Sequence, residues 1–172
     1  ADPETLEKLK QQGLDPDDLA APEPVDPWHD RGFPLVLEWR RNLQRDPGLL
    51  AQLDALGLSR LGAETAWLGY VPEPREEPTE AWGMEGGGVL KLPAGLVLPR
   101  FEDKKLASIR IRPGRDAGEL ADGSRDVLVQ GSSAEPLFIE GPKGAPVAVV
   151  EDELEARALA DQAGDVCSVL VM

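Results

Sequence analysis

One cysteine, one histidine and one tyrosine occur in 172 residues. A lone cysteine allows no intrachain disulfide, and Cys167 with His29 cannot build a Cys/His zinc cluster. Cys167 lies in the strand-like run DVCSVLVM and reads as a buried, inert thiol. His29, in PWHDRGF, has no neighbour that suggests a triad and reads as a surface or linker residue. Aromatics make up only 5% of the chain, so aliphatic side chains must fill the core. No apolar run approaches the length of a bilayer span, and ADPETLEKLKQQG lacks the basic-then-apolar order of a signal peptide. These features read as a cytoplasmic protein with no membrane partner. Positive charge is scarce: 18 Lys and Arg face 32 Asp and Glu, a formal charge of −14. Such a chain is repelled by nucleic acid unless a local basic face overrides the total. The phosphate-cradling spacings GxGxxG and GxxxxGK[ST], the hydrolase elbow GxSxG and any fixed-period repeat are also missing, and Gly86–Gly88 reads as a turn.

What is present predicts an α+β chain in four pieces. Residues 1–30 read as an acidic, proline-rich arm or linker: a short helix over Glu4–Gln12 is followed by prolines at 16, 22, 24 and 27, with Trp28 and Phe33 anchoring its end. Residues 31–80 read as a helical segment. In it, Leu35–Arg45 has helical apolar spacing, and Asp46 and Pro47 cap and start a second helix that Gly57 stops. A short turn of helix around Ala63–Trp67 and a loop over EPREEPTE complete that segment. Residues 81–145 read as a mixed or antiparallel sheet subdomain. Its hairpin has Lys104 and Lys105 at the tip, with Leu106, Ser108, Arg110 and Arg112 on one strand face and Ala107, Ile109 and Ile111 on the other. Asp116–Asp126 reads as an acidic loop. Residues 146–172 read as a β-α-β unit: a buried strand at Val147–Val150, a helix over Glu153–Ala163 and a last strand at Val166–Val171.

Two clusters carry possible chemistry. Arg100, Lys104, Lys105, Arg110, Arg112 and Arg115 form the one basic island, six positive side chains against Glu102 and Asp103. Arg110 and Arg112 on one strand face suit successive phosphates or a triphosphate, or else pair with the chain's own carboxylates. The acidic cluster Glu151, Asp152, Glu153 and Glu155 follows a strand end, where open α/β sheets place ligands. It suits helix capping, or a Mg²⁺-binding or acid/base role for Glu151 and Glu155.

Four tracts, in order, resemble the catalytic core of bacterial DnaG-type primases and related phage or plasmid primase-helicases. LGLSRLGAETAWLGYVP is similar through Gly57, Leu58, Leu68, Gly69, Tyr70 and Pro72, and GLVLPRFEDKKLASIRIRP through Leu98, Pro99, the hairpin and Arg112. LVQGSSAEPLFIEG matches through Ser132, Phe138 and Gly141. VAVVEDELEARALADQAG resembles the first strand and helix of a Toprim module, with Glu151 at its glutamate and Glu155 at its aspartate. The departures are Asp152, Ser108 and Arg110 in place of glycines and Gly131 in place of an asparagine.

The resemblance implies a primer-synthesising nucleotidyltransferase that uses Mg²⁺ or Mn²⁺, a single-stranded DNA template and nucleoside triphosphates, with a replicative helicase as a further partner. Glu151 would be general base or metal ligand and Glu155 its supporting carboxylate. Arg100, Lys104, Lys105, Arg110 and Arg112 would contact nucleic acid or nucleotide. The family's Asp-x-Asp strand does not occur before Met172, so the resemblance also implies an inactive fragment of a longer enzyme. The alternative is a non-catalytic Toprim-like interaction scaffold of a replication or mobile-element protein. A Toprim nuclease or topoisomerase relative is disfavoured by the primase-like tracts ahead of Glu151.

Overall fold

A computed structural model describes residues 26–115, 119–121 and 126–172. The expected Glu4–Gln12 helix, the prolines up to 24 and most of the Asp116–Asp126 loop lie outside those residues. The described part is α+β. No helix in it is long and apolar enough to cross a membrane.

Helix α1 spans Pro27–Gln44, eight residues earlier than the apolar spacing predicts. Asp26 caps it by accepting from the His29 amide, and Pro27 suits the first turn because its missing N–H would have no intrahelical partner. Pro34 removes one backbone bond, yet the helix runs through it. Docking of the first turns explains this: Trp28 Nε1 donates to the Gln130 carbonyl at 3.1 Å, and Gly32 lies against Leu106 and Trp82. His29 is not a linker residue. Its Nδ1 accepts from the Leu106 amide at 2.9 Å, and its ring stacks on Phe33. Helix α2 (Pro47–Ala55) follows, with Asp46 accepting from the amides of Gly48 and Leu49, and Gly57 takes a φ of +87° at its end. Helix α3 (Arg60–Thr65), capped by Ser59, leads to strand β1 (Gly69–Val71).

The acidic segment expected as a loop contains a strand, β2 (Arg75–Pro78), paired antiparallel with β3 (Val89–Leu92). Buried Glu77 makes this possible by accepting from Arg31 and pairing with Arg75, so its charge is compensated in place. A 3₁₀ turn at Thr79–Trp82 and the glycine turn at 86–88 join the two strands.

The main sheet has the order β1-β4-β5-β6, all antiparallel: β4 is Gly95–Glu102, β5 is Lys105–Pro113 and β6 is Val127–Leu128. Asp103 and Lys104, with φ of +46° and +68°, form the two-residue hairpin turn. Arg100 pairs with Ser108 but Phe101 pairs with Leu106, so Ala107 is an extra residue in a bulge. The bulge corrects the simple alternation. Leu106 joins Ile109 and Ile111 in the core, while Ser108, Arg110 and Arg112 stay on the other face.

Strand β4 divides two cores. Val97 packs with Leu35, Val36 and Trp39 of α1 and with Trp82. Leu96 and Leu98 pack with Leu49, Leu53 and Leu58, and with Leu154 and Ala158 of helix α4 (Glu153–Ala163). Helix α4 therefore belongs to two structures, the main sheet and its own β-α-β unit. That unit carries a second sheet of order β7-β9-β8: β7 is Phe138–Ile139, β8 is Val147–Val150 and β9 is Ser168–Val171. Strands β8 and β9 are parallel, and β7 runs antiparallel to β9. The last strand is central, because β7 pairs along its other side. One expectation changes here. Strand β8 is an edge and only half-buried, with Val147 and Val149 52% and 53% exposed. Register puts Val149, Leu170 and Phe138 on that same open face.

Candidate functional site

Hairpin strand β5 and the turn between β8 and α4 meet across a cleft of about 540 Å³. Its floor is Arg100, Ser108, Arg110 and Arg112, and its opposite rim is Glu151, Asp152 and Glu153. The rim lies at the C-terminal ends of both parallel strands, since Val171 at the end of β9 also lines it. This is where the crossover geometry of a parallel pair leaves a crevice. The basic and acidic clusters, some forty residues apart in sequence, thus share one site.

The local fold dictates the rim. Asp152, in extended backbone conformation, is the N-cap of α4, and its Oδ1 accepts from the Glu155 amide at 2.8 Å. Glu153 is the first helical residue and is buried. It accepts from Arg157 Nη2 at 2.6 Å and forms an ion pair with Arg110, whose Nε lies 3.1 Å away. Glu151 precedes the cap and stands exposed, with no ion pair among the described residues.

The floor is largely committed to internal partners. Arg112 Nε and Nη2 grip Asp126 at 2.8 and 3.2 Å, and Nη2 also reaches Asp152. Burial by itself disfavours the Arg112 charge, but the hydrogen bonds and charges of Asp126 and Asp152 outweigh it and hold the guanidinium pKa above its ordinary value. Arg100 donates to Ser133 Oγ at 2.8 Å, pairs with Glu102 at 2.8 Å and reaches the Glu135 carbonyl, while its Nε is buried without a partner. Arg110 is the most available of the three. Its side chain is 33% exposed against 10% for Arg112, and among the described residues Glu153 is its one ionic partner.

The other predicted site residues fall elsewhere. Lys104 and Lys105 sit at the hairpin end beside His29 and do not line the cleft. Arg110 and Arg112 lie five and seven residues beyond Lys105 along β5, roughly 17–23 Å at strand rise. Glu155 also lies outside the cleft. The helix begins at Glu153, so Glu151 and Glu155 do not stand in the one-turn relation that sharing a metal would need. No group of three or more His, Cys, Asp or Glu among the described residues could hold a metal ion. With Asp152 and Glu153 engaged by arginines, Glu151 is the single uncommitted carboxylate on the rim, and the described donor set does not make a Mg²⁺ site by itself.

Sequence reasoning missed Asp126, Ser133 and Arg157. Arg157 carried a usable signal, four residues after Glu153 on a helix. Asp126 is brought in by the pairing of β6 with β5, and Ser133 by its contacts with Ala107 and Arg100, which no spacing reveals. No protein-family model, curated protein or solved structure matches the chain.

Proposed function

We propose that the cleft is the phosphate-handling site of a primase-like nucleotidyltransferase core, with β8–α4–β9 as the opening unit of a Toprim-like fold. The observation that carries this reading is the convergence of the β5 arginines with Glu151 at the C-terminal ends of β8 and β9. Arg110 offers its free guanidinium nitrogens to a phosphate of a nucleoside triphosphate or of single-stranded DNA. Glu151 faces the same space as the carboxylate able to accept a proton from an attacking hydroxyl. Primer synthesis uses Mg²⁺ or Mn²⁺ to neutralise phosphate charge, and Glu151 is the rim residue open to such an ion. The described residues do not complete that site, so no step is assigned to it. A single-stranded DNA template, nucleoside triphosphates and a replicative helicase are the partners this reading entails.

One observation favours a second reading, a non-catalytic interaction scaffold. Around the cleft, Asp126, Glu135, Glu151, Asp152 and Glu153 outnumber three arginines, which use most of their donors internally. Titration of a short single-stranded oligonucleotide at low salt separates the two. The primase-like reading expects saturable, salt-sensitive binding that Arg110→Gln weakens about tenfold. Negligible binding by the unaltered chain, unchanged by Arg110→Gln, favours the scaffold instead.

A further inference from the structure

The two arginines that share a face of β5 do different things. We infer that Arg112 is a positioning residue: it fixes Asp152, and through it the turn that presents Glu151, and leaves Arg110 as the anion contact. The division of labour rests on the reading of the cleft as a phosphate site; the placement of Asp152 does not.

Three observations converge on it. Two of the three Arg112 nitrogens are taken, with Nε and Nη2 on the two oxygens of Asp126 and Nη2 again on Asp152 Oδ2. A guanidinium is planar and its donors are fixed in direction, so a phosphate could take these nitrogens only by displacing both carboxylates. Asp126 and Arg112 are each about nine-tenths buried at the side chain, and a displaced Asp126 would be left as an uncompensated buried charge. Lastly, Asp152 spends its two oxygens on two tasks. Oδ1 caps α4 through the Glu155 amide at 2.8 Å, and Oδ2 is held by Arg112. A cap residue on an exposed turn rotates about its side-chain bonds, and an arginine on the second oxygen removes that freedom. Glu151 is the residue immediately before this anchor, so the direction in which it leaves β8 follows from the same contact.

Arg110 is arranged differently. Its Nε lies 3.1 Å from Glu153, and Glu153 keeps Arg157 as a second partner if Arg110 turns toward a ligand. Releasing Arg110 therefore leaves no carboxylate unpaired, whereas releasing Arg112 strands Asp126.

Amide hydrogen exchange at Glu155, read together with titration of inorganic tripolyphosphate at low salt, tests the assignment. Arg112→Gln is expected to speed Glu155 exchange about fivefold, as loss of a side-chain cap does, with the middle of α4 unchanged. Tripolyphosphate affinity in that variant stays within about threefold of the unaltered chain, while Arg110→Gln lowers it about tenfold and leaves Glu155 exchange unchanged. Arg112→Lys keeps a charge beside Asp126 but cannot span both carboxylates, and it carries the same readout if Arg112→Gln fails to fold. Loss of tripolyphosphate binding in an Arg112 variant whose Glu155 exchange is unaltered overturns the inference and makes Arg112 a ligand. If the unaltered chain does not bind tripolyphosphate, the phosphate reading of the cleft fails, and unaltered Glu155 exchange then overturns the positioning role separately.

Discussion

Arg157 on α4 donates to the main-chain carbonyl of Pro99 on β4 at 2.8 Å, fifty-eight residues away in the chain. The same guanidinium reaches the Ala66 carbonyl at 3.1 Å and Glu153 at 2.6 Å. One buried side chain thus ties the β-α-β unit to the main sheet and to the turn after α3. Arg157→Ala leaves Glu153 and two carbonyls short of a partner and is expected to destabilise the chain by about 3–5 kcal/mol, read from urea unfolding. Arg157→Lys should recover little of this, because one ammonium cannot reach three acceptors set at different angles.

Adjacent carboxylates on the cleft rim should differ sharply. Glu151 is exposed, with no ion pair among the described residues, so Glu151→Gln is expected to change stability by no more than about 0.5 kcal/mol. Glu153 lies buried between two guanidiniums, and Glu153→Gln should cost about 3 kcal/mol in thermal or urea unfolding. Equal effects at the two positions would show that the rim is not built as described.

A glycine brings α1 onto the sheet edge. A Cβ on Gly69 would stand 2.8 Å from Trp39 Cβ and 2.9 Å from the Trp39 carbonyl carbon. Backbone cannot yield as a side-chain end can, so Gly69→Ala is expected to cost about 1–3 kcal/mol despite adding a single methyl. A midpoint unchanged in urea would mean that α1 sits further from β1.

His29 should prove structural. Its Nδ1 accepts from the amide of Leu106, next to the bulge. His29→Ala is expected to lose about 1–3 kcal/mol of stability, with faster exchange of the Leu106 amide before any other in β5.

The pH response of Arg112 has a definite sign. Its folded pKa lies above the ordinary value, so the stabilisation is complete below that value and is lost only as pH rises through the raised one. Between about pH 6 and 10 the difference in unfolding free energy between the unaltered chain and Arg112→Gln should therefore be constant. A difference that shrinks steadily across that range would contradict the pairing with Asp126 and Asp152.

Local signals were enough for much of the secondary structure. The cap and proline at Asp46–Pro47, a hairpin whose turn lies one residue before the expected Lys104–Lys105 tip, and the helix Glu153–Ala163 all depend on residues within a turn or two of one another. The failures share a cause. Helix α1 continues through Pro34 because Trp28, His29 and Gly32 are held by distant strands. Likewise β2 exists because Arg31 and Arg75 neutralise Glu77. Leu106 changes face because one bulge residue reverses strand parity. Each is a long-range contact overriding a local preference.

The cleft divides the same way. The sequence by itself determined that the chain holds one basic island and one acid-rich strand end, and that Glu151, Arg110 and Arg112 are the residues to question. Only the tertiary structure decided that these two stretches face each other, and what each residue there is free to do. Spacing along a strand placed Arg110 and Arg112 on one face and made them look equivalent. Packing of α4 onto β4 set Asp152, and pairing of β6 with β5 set Asp126, against one of them, and the other was left a third exposed. Charge type is written in the sequence, but which charges are already paired depends on distance between elements, and distance is a property of the fold alone.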